Sequence, residues 1–515
     1  MGPRGILTFI EVSSPPSATS PAPVASPPPA EAPPARGRRL HALRTAFFEK
    51  VGLGVLALAA LVGFVVYPTY PNYDSYYSLL WGRELVDLDP LSFQAYRAPT
   101  EHPLAIAFGA LLAPLGDGAD RAMVATTVLS FLVLVAGVYS LAKTAFTPLV
   151  GAAAAALLVT RFDFPFLAAR AYIDIPYLAI VIWAAVIEAR ATRRHPVIVL
   201  ALLSAAGLMR PEAWVLAGLY WLWLVPRATW WERARYAALA AVAPLVWAAV
   251  DFAVTGDPLY SLTATGDLAE ELGRNKGGAA VPQALLEFLV RLAKLPVVLG
   301  GAAGLVLGIV LTPRRVVMPL VLMVVGMATF ALVGLAGLSV IDRYLLVPSL
   351  CVMVFAAVSL AGWTMLRDGS RWRRLWAGAA GALLVFGVVF TATRVNLDQL
   401  HKELRFRGDA HAALEGVLRA PAVASGLRCG PVYVPNHKLI PDVRWILDLP
   451  HSGVRARSSD EVGEPRRGVV LLVHDRPALF KQALVTDNDD ARDNLPPAGF
   501  SRAATSRYYA AYVSC

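Results

Sequence analysis

Long apolar runs broken by short polar stretches fill the chain from residue 51 to residue 392. The first run, 51–67, ends at Tyr67-Pro68-Thr69. Ten more follow at 122–142, 148–160, 174–189, 197–209, 212–225, 236–254, 297–311, 316–338, 344–366 and 375–392. Runs of this kind predict membrane-spanning helices, and the short ones are tolerated where their ends meet a protein-lined or water-filled cavity. The apolar stretch 103–115 is the exception. Its roughly 13 residues rise only ~20 Å against a hydrocarbon core of ~30 Å, so a re-entrant or juxtamembrane helix on the outer face is expected there. Beyond 392 the pattern changes. Leu400, Leu404, His411, Leu414 and Leu418 recur at helical spacing, and strand-like runs follow at 431–435, 468–474 and 508–513. The expected fold is a polytopic α-helical membrane protein of about 11 transmembrane helices carrying a small α/β module over 393–515.

Composition and charge sharpen this picture. Of the 515 residues, 57% are hydrophobic and only 16% charged, which excludes a cytosolic globular enzyme and a disordered scaffold. The formal charge of +10 is gathered in short clusters between apolar runs, so it reads as membrane orientation, with no nucleic-acid partner. Pro15, Pro16, Pro21, Pro23 and Pro27 to Pro29 mark a disordered tail over 1–45. Its closing basic run, Arg36, Arg38, Arg39 and Arg44, is expected in the cytoplasm, as are the clusters at 190–194, 227–235, 314–315 and 367–374. Sidedness then places 68–102, 252–296 and 393–515 outside the cell, with the protein in the plasma (inner) membrane. Cys429 and Cys515 fall on that oxidising side and can pair, whereas Cys351 lies inside a span.

The ionisable residues predicted outside converge. Asp74 begins a helical pattern through Tyr77, Leu80, Trp81, Leu85 and Leu88, expected to lie in the outer interface. It reads either as that helix's N-cap or as a general base. Arg97, Glu101 and His102 immediately precede the 103–115 stretch, and an Arg97–Glu101 ion pair is the simplest account of two of them. Arg161, Asp163, Arg170, Tyr172 and Asp174 fall on the same side. A divalent cation, Mg²⁺ or Mn²⁺, between Asp74 and Asp174 is left open, although neither residue sits in a metal-binding spacing. Arg210-Pro211-Glu212 interrupts two short spans; Asp257 and Tyr260 stand in Gly256-Asp257-Pro258-Leu259-Tyr260, which also reads as a turn; Arg343 and Tyr344 begin a span, where the arginine can hold a lipid phosphate.

This order of elements resembles the GT-C glycosyltransferases, particularly the branch of the protein O-mannosyltransferases and the lipid A aminoarabinose transferase. The matching residues are Tyr73-Asp74, Glu101 to Leu104, Asp174 with Pro176, Arg210 to Glu212, Gly256 to Tyr260, and Arg343 to Leu345. The resemblance implies a GT-C transmembrane domain over 46–392 and a polyprenyl-phosphate-linked sugar donor. It also implies transfer on the extracytoplasmic face to a glycan, lipid or protein acceptor of the cell envelope. By the same resemblance Asp74 is the base, Asp174 shapes the acceptor or cation site, and Arg343 with Arg210 holds the donor phosphate. Tyr73, Arg97, Glu101, His102, Asp163, Arg170, Tyr172, Glu212, Asp257, Tyr260 and Tyr344 complete the expected substrate-binding set. The acidic pair of the protein O-mannosyltransferases is absent, since Ser75 follows Asp74. A transporter or flippase of a lipid-linked sugar is the alternative class, but internal repeats and short outer loops, its usual marks, do not fit this chain.

Overall fold

A computed structural model of the chain describes residues 35–191, 194–273, 277–394, 398–482 and 490–515. Residue contacts divide the chain into two units, Met1–Val51 and Gly52–Cys515. Of the tail expected over 1–45, residues 1–34 lie outside the described ones, and the remainder is helical, opening α1 (Ala35–Val66).

The second unit continues with α2 (Tyr73–Val86), α3 (Pro103–Leu112), α4 (Ala119–Ala145), α5 (Pro148–Val159), α6 (Asp163–Ala169), α7 (Asp174–Arg190), α8 (Pro196–Gly207), α9 (Glu212–Leu224) and α10 (Trp230–Thr255). Then come α11 (Tyr260–Glu271), α12 (Val281–Ala293), α13 (Leu295–Leu311), α14 (Val317–Leu335), α15 (Leu346–Ala361) and α16 (Arg371–Arg394). Every expected span has a helix. By length and apolarity, however, six helical stretches among the described residues can cross a membrane, or eight if the bent pairs α5 with α6 and α12 with α13 each count as one. The difference from eleven lies chiefly in α8 and α9, of 12 and 13 residues, and in α7, whose 17 residues include Asp174, Glu188 and Arg190. The 103–115 stretch forms α3, which is separated from α4 by a break at Gly116 (φ 55°).

Close approach of backbones sets the frame around the site. Gly301 and Gly304 form the buried face of α13 against α15, Gly308 is buried against Val316 and Phe146, and a Cβ on Gly304 would run into the carbonyl of Phe355. Small residues at such a crossing let helices gain dispersion contacts that bulkier side chains would block. The opposite helix, α15, is buried nearly all round, which matches its unbroken apolar sequence. Gly82 of α2 and Gly109 of α3 meet in the same way, each without room for a side chain. This crossing fixes α2, and with it Asp74.

The C-terminal segment adds α17 (Gln399–Leu418), α18 (Pro421–Gly426), α19 (Ile440–Leu447) and α20 (Arg476–Gln482) to a five-stranded sheet. Its strands are β1 (Val432–Val434), β2 (Val454–Ala456), β3 (Gly468–Val473), β4 (Ser501–Thr505) and β5 (Tyr509–Ser514), in the order β2-β1-β3-β5-β4. β1 pairs in parallel with β2 and β3, and β5 runs antiparallel to β3 and β4. The short strands β2 and β4 were invisible to alternation in the sequence. Cys429 and Cys515 are joined by a disulfide, and Cys351 is buried in α15.

This module docks on α2 through α19. Arg444, 1% exposed, donates to Glu84 at 2.7 Å; Arg83 pairs with Asp448, and Trp445 lies against Tyr76 with ring centroids 6.0 Å apart. Breaking such a buried charge pair from one side generally costs about 3–5 kcal/mol, so the junction is held in a single arrangement.

Candidate functional site

The N-terminus of α2 is pinned before it presents any chemistry. Asn72 caps the helix by accepting from the Ser75 N–H at 2.9 Å. Its own N–H donates to the Arg170 carbonyl at 2.8 Å, and Ser75 Oγ donates to the Ala171 carbonyl at 2.5 Å. The cap is therefore Asn72, which corrects the N-cap reading of Asp74: two residues further on, the Asp74 side chain is left for another partner. Ala171 holds a left-handed conformation (φ 55°), a local strain of order 1 kcal/mol that the bonds from α2 help to sustain.

That partner is Arg343, on the turn that leads into α15. Its Nη1 donates to Asp74 Oδ2 at 3.2 Å and to Asp174 Oδ2 at 3.4 Å. Asp174, fully buried at the start of α7, receives Arg210 on its other oxygen. Arg210 in turn donates to Glu212 Oε1, through Nε at 3.0 Å and Nη2 at 2.6 Å. Asp74, Arg343, Asp174, Arg210 and Glu212 thus form one alternating chain of charges drawn from α2, α7, α9 and two connecting segments. The aromatic rings of Tyr344 and Tyr172 cover it, with Arg210 5.3 Å from the first and Arg343 5.6 Å from the second. Glu212 Oε2 is buried without a hydrogen-bond partner among the described residues.

A cavity of about 870 Å³ opens onto this chain. It brings together Tyr73, Asp74, Arg97, His102, Asp163, Tyr172, Arg210, Glu212, Arg343 and Tyr344, ten of the residues expected from the sequence. Asp174 stands directly behind them, holding both arginines. Burial opposes ionisation of Asp74, but Arg343, with His102 and Lys438, outweighs it and keeps the carboxyl below the usual carboxylate range. Burial pushes the His102 imidazole down to about 4, so it is neutral at pH 7, and its Nδ1 has no partner among the described residues.

Four expected residues lie off the cavity wall. Glu101 is buried and accepts from Ser261 Oγ at 2.8 Å. The expected Arg97–Glu101 pair does not form; Arg97, itself in a left-handed conformation (φ 52°), donates to Glu271 at 2.7 Å. Arg170 stacks its guanidinium 3.8 Å from the Tyr70 ring centre. Asp257 is exposed and accepts from the Leu259 N–H at 2.9 Å, so it is the turn residue its Gly-Asp-Pro context suggests. Tyr260 reaches the Phe93 carbonyl at 3.4 Å.

The structure also supplies residues that sequence reading missed. Asp251 lines the cavity and binds Ser261 through the backbone N–H at 2.9 Å and Oγ at 2.7 Å, while Trp247 Nε1 donates to the same Oγ at 2.8 Å. The same Oγ also meets Glu101, so two carboxyl groups compete for one hydroxyl proton. Burial pushes Glu101 up to about 7. His437 and Lys438, from the C-terminal module, form part of the cavity wall. No motif marks them, because a lysine in a soluble-looking module is unremarkable in sequence.

A divalent ion between Asp74 and Asp174 does not fit this arrangement. The Arg343 guanidinium binds both carboxylates, Arg210 takes the remaining Asp174 oxygen, and among the described residues no group of three or more His, Cys, Asp or Glu is placed to hold a metal.

The sequence matches no protein-family profile and no curated protein. In structure the chain is similar to the aminoarabinose transferase ArnT of Cupriavidus metallidurans at 14% identity and a TM-score of 0.52, with 91% of this chain and 98% of that one covered. It is also similar to an oligosaccharyltransferase of Archaeoglobus fulgidus at 11% identity and a TM-score of 0.50, covering 83% of this chain and 70% of that one. Both are GT-C glycosyltransferases, and this chain has the GT-C membrane fold.

Proposed function

We propose that the chain is an inverting glycosyltransferase that moves a sugar from a polyprenyl-phosphate donor to a cell-envelope acceptor on the extracytoplasmic face of the membrane. The observation that carries this reading is the pairing of Asp74 with Arg343 at the wall of a large cavity, within a GT-C fold. A hydroxyl acceptor needs a base as attack begins, and a phosphate leaving group needs fixed positive charge where negative charge develops. In this reading the acceptor oxygen bonds to the anomeric carbon while the carbon–oxygen bond to phosphate breaks. The electron pair departs with polyprenyl phosphate, which Arg343 and Arg210 stabilise, and the proton passes to Asp74. A single displacement inverts the anomeric centre.

The topology that suits this chemistry has eleven crossings, the short helices α7, α8 and α9 included. The N-terminus then lies in the cytoplasm, and the cavity and C-terminal module lie outside. The departure of Asp74-Ser75 from an acidic pair favours a glycan or lipid acceptor over a protein.

The test is sugar transfer by the purified protein in lipid nanodiscs, from a panel of radiolabelled polyprenyl-phosphate sugars to envelope extracts. Asp74→Asn is expected to lose at least about 100-fold in rate while remaining folded. Equal activity in the variant removes Asp74 as base. A folded wild type that uses no donor in the panel sinks the transfer reading in favour of a transporter of lipid-linked sugars.

A further inference from the structure

The C-terminal module does more than cover the cavity. The turn after β1 is shaped by Asn436, 1% exposed, whose Oδ1 accepts from the Lys438 N–H at 3.0 Å. That turn sets the His437 ring edge-on to Tyr73, centroids 5.6 Å apart, and the Lys438 ammonium 5.2 Å from the centre of the same ring. Tyr73 is itself fixed, since its hydroxyl donates to the Arg97 carbonyl at 2.8 Å. The module therefore delivers a cation beside the residue that precedes Asp74.

We propose that Lys438 is a positioning residue for the reaction, keeping Asp74 charge-balanced once a donor phosphate draws Arg343 away. This rests on the transfer reading above. The groups around Asp74 come from several elements: Arg343 from the turn before α15, His102 from the start of α3, Lys438 from the module, Tyr73 from its own helix with Tyr77 and Arg97 beside that tyrosine, and Asp174 through the shared Arg343. Burial keeps His102 neutral and the two phenols protonated, each for the same reason that an apolar surrounding disfavours charge. Of the three charge-bearing groups that pull on Asp74, that leaves Arg343 and Lys438 at neutral pH. Arg343 is also bonded to Asp174, and in the proposed reaction it must turn its charge to the leaving phosphate. Lys438 stands against the Tyr73 ring at the cavity wall, and that step does not call on it. A base that lost its only counter-charge on donor binding would take up a proton in a desolvated site and fail.

The experiment compares wild type, Lys438→Met and Lys438→Arg, each as the full chain in nanodiscs, with undecaprenyl phosphate as probe. Dicyclohexylcarbodiimide labels protonated carboxyl groups, and peptide mass spectrometry reads labelling of Asp74 against pH. With the lipid present, the midpoint in Lys438→Met is expected to move up by about one pH unit, and Lys438→Arg is expected to restore it. The acid limb of kcat/KM for transfer should move by the same amount, with donor KM little changed. A midpoint identical in Lys438→Met and wild type overturns the proposal, whatever happens to activity. Shifted midpoints with a wild type that transfers nothing refute the transfer reading and leave the electrostatic role of Lys438 standing.

Discussion

Replacing Arg343 with Met should separate electrostatic from packing roles at the centre of the site. Two unit charges at 3.2 Å attract by about 5 kcal/mol at an effective dielectric of 20. Arg343 and Asp74 are 31% and 20% exposed, so solvent screening and desolvation return more than half of this, leaving about 2 kcal/mol for the pair. Asp174 is fully buried but keeps Arg210, so the unmet charge falls mainly on Asp74. Unfolding in mixed detergent–SDS micelles gives the stability of wild type, Arg343→Met, Asp74→Asn and the double variant. The double-variant cycle should return a coupling of about 2 kcal/mol at pH 7. It should vanish as pH falls, because the carboxyl whose titration is depressed in the fold loses its contribution once it is protonated. A coupling below about 0.5 kcal/mol at pH 7 would refute the charge chain as an energetic unit, since additivity at that level marks independent sites.

Two further outcomes follow from the same packing. Glu101 is pushed up to about 7 from an ordinary 4.5, so its stabilising protonated form is lost as pH rises. Wild type should lose about 3 kcal/mol between pH 4.5 and 8, and stability curves of wild type and Glu101→Gln that stay parallel over that window would contradict the shared-proton account. Gly304→Leu has no space against Phe355, and should lower the unfolding midpoint far more than the same change at Gly378, where a Cβ meets nothing; equal effects would remove the α13–α15 crossing as a constraint.

Much of the site was legible because charges stand out against apolar sequence. Asp74, Asp174, Arg210 and Arg343 lie within or beside helices where an unpaired charge is expensive, so their presence asks for partners, and the structure pairs them with one another. Which partner each takes was not legible. Arg97 was matched to Glu101 by nearness in sequence, yet binds Glu271 on α11, 174 positions away. Asp74 looked like a cap because aspartate favours caps, and a cap assignment shifts by two residues without any change in apolar pattern. The crossing count rests on the same kind of local reading. Apolarity marks α8 and α9 as buried, but buried in protein and buried in lipid read alike in a 12- or 13-residue helix.

The cavity wall formed by His437 and Lys438 has a consequence for biogenesis. A ribosome delivers Asp74 early and Lys438 more than 360 residues later, after α16 has been made. Throughout synthesis the helices that carry the charge chain exist without their last wall, and the site is finished only when α19 docks on α2 and the Arg444–Glu84 pair closes. A chain interrupted before β1 would lack His437 and Lys438, leaving the cavity beside Asp74 open on the side where they stand.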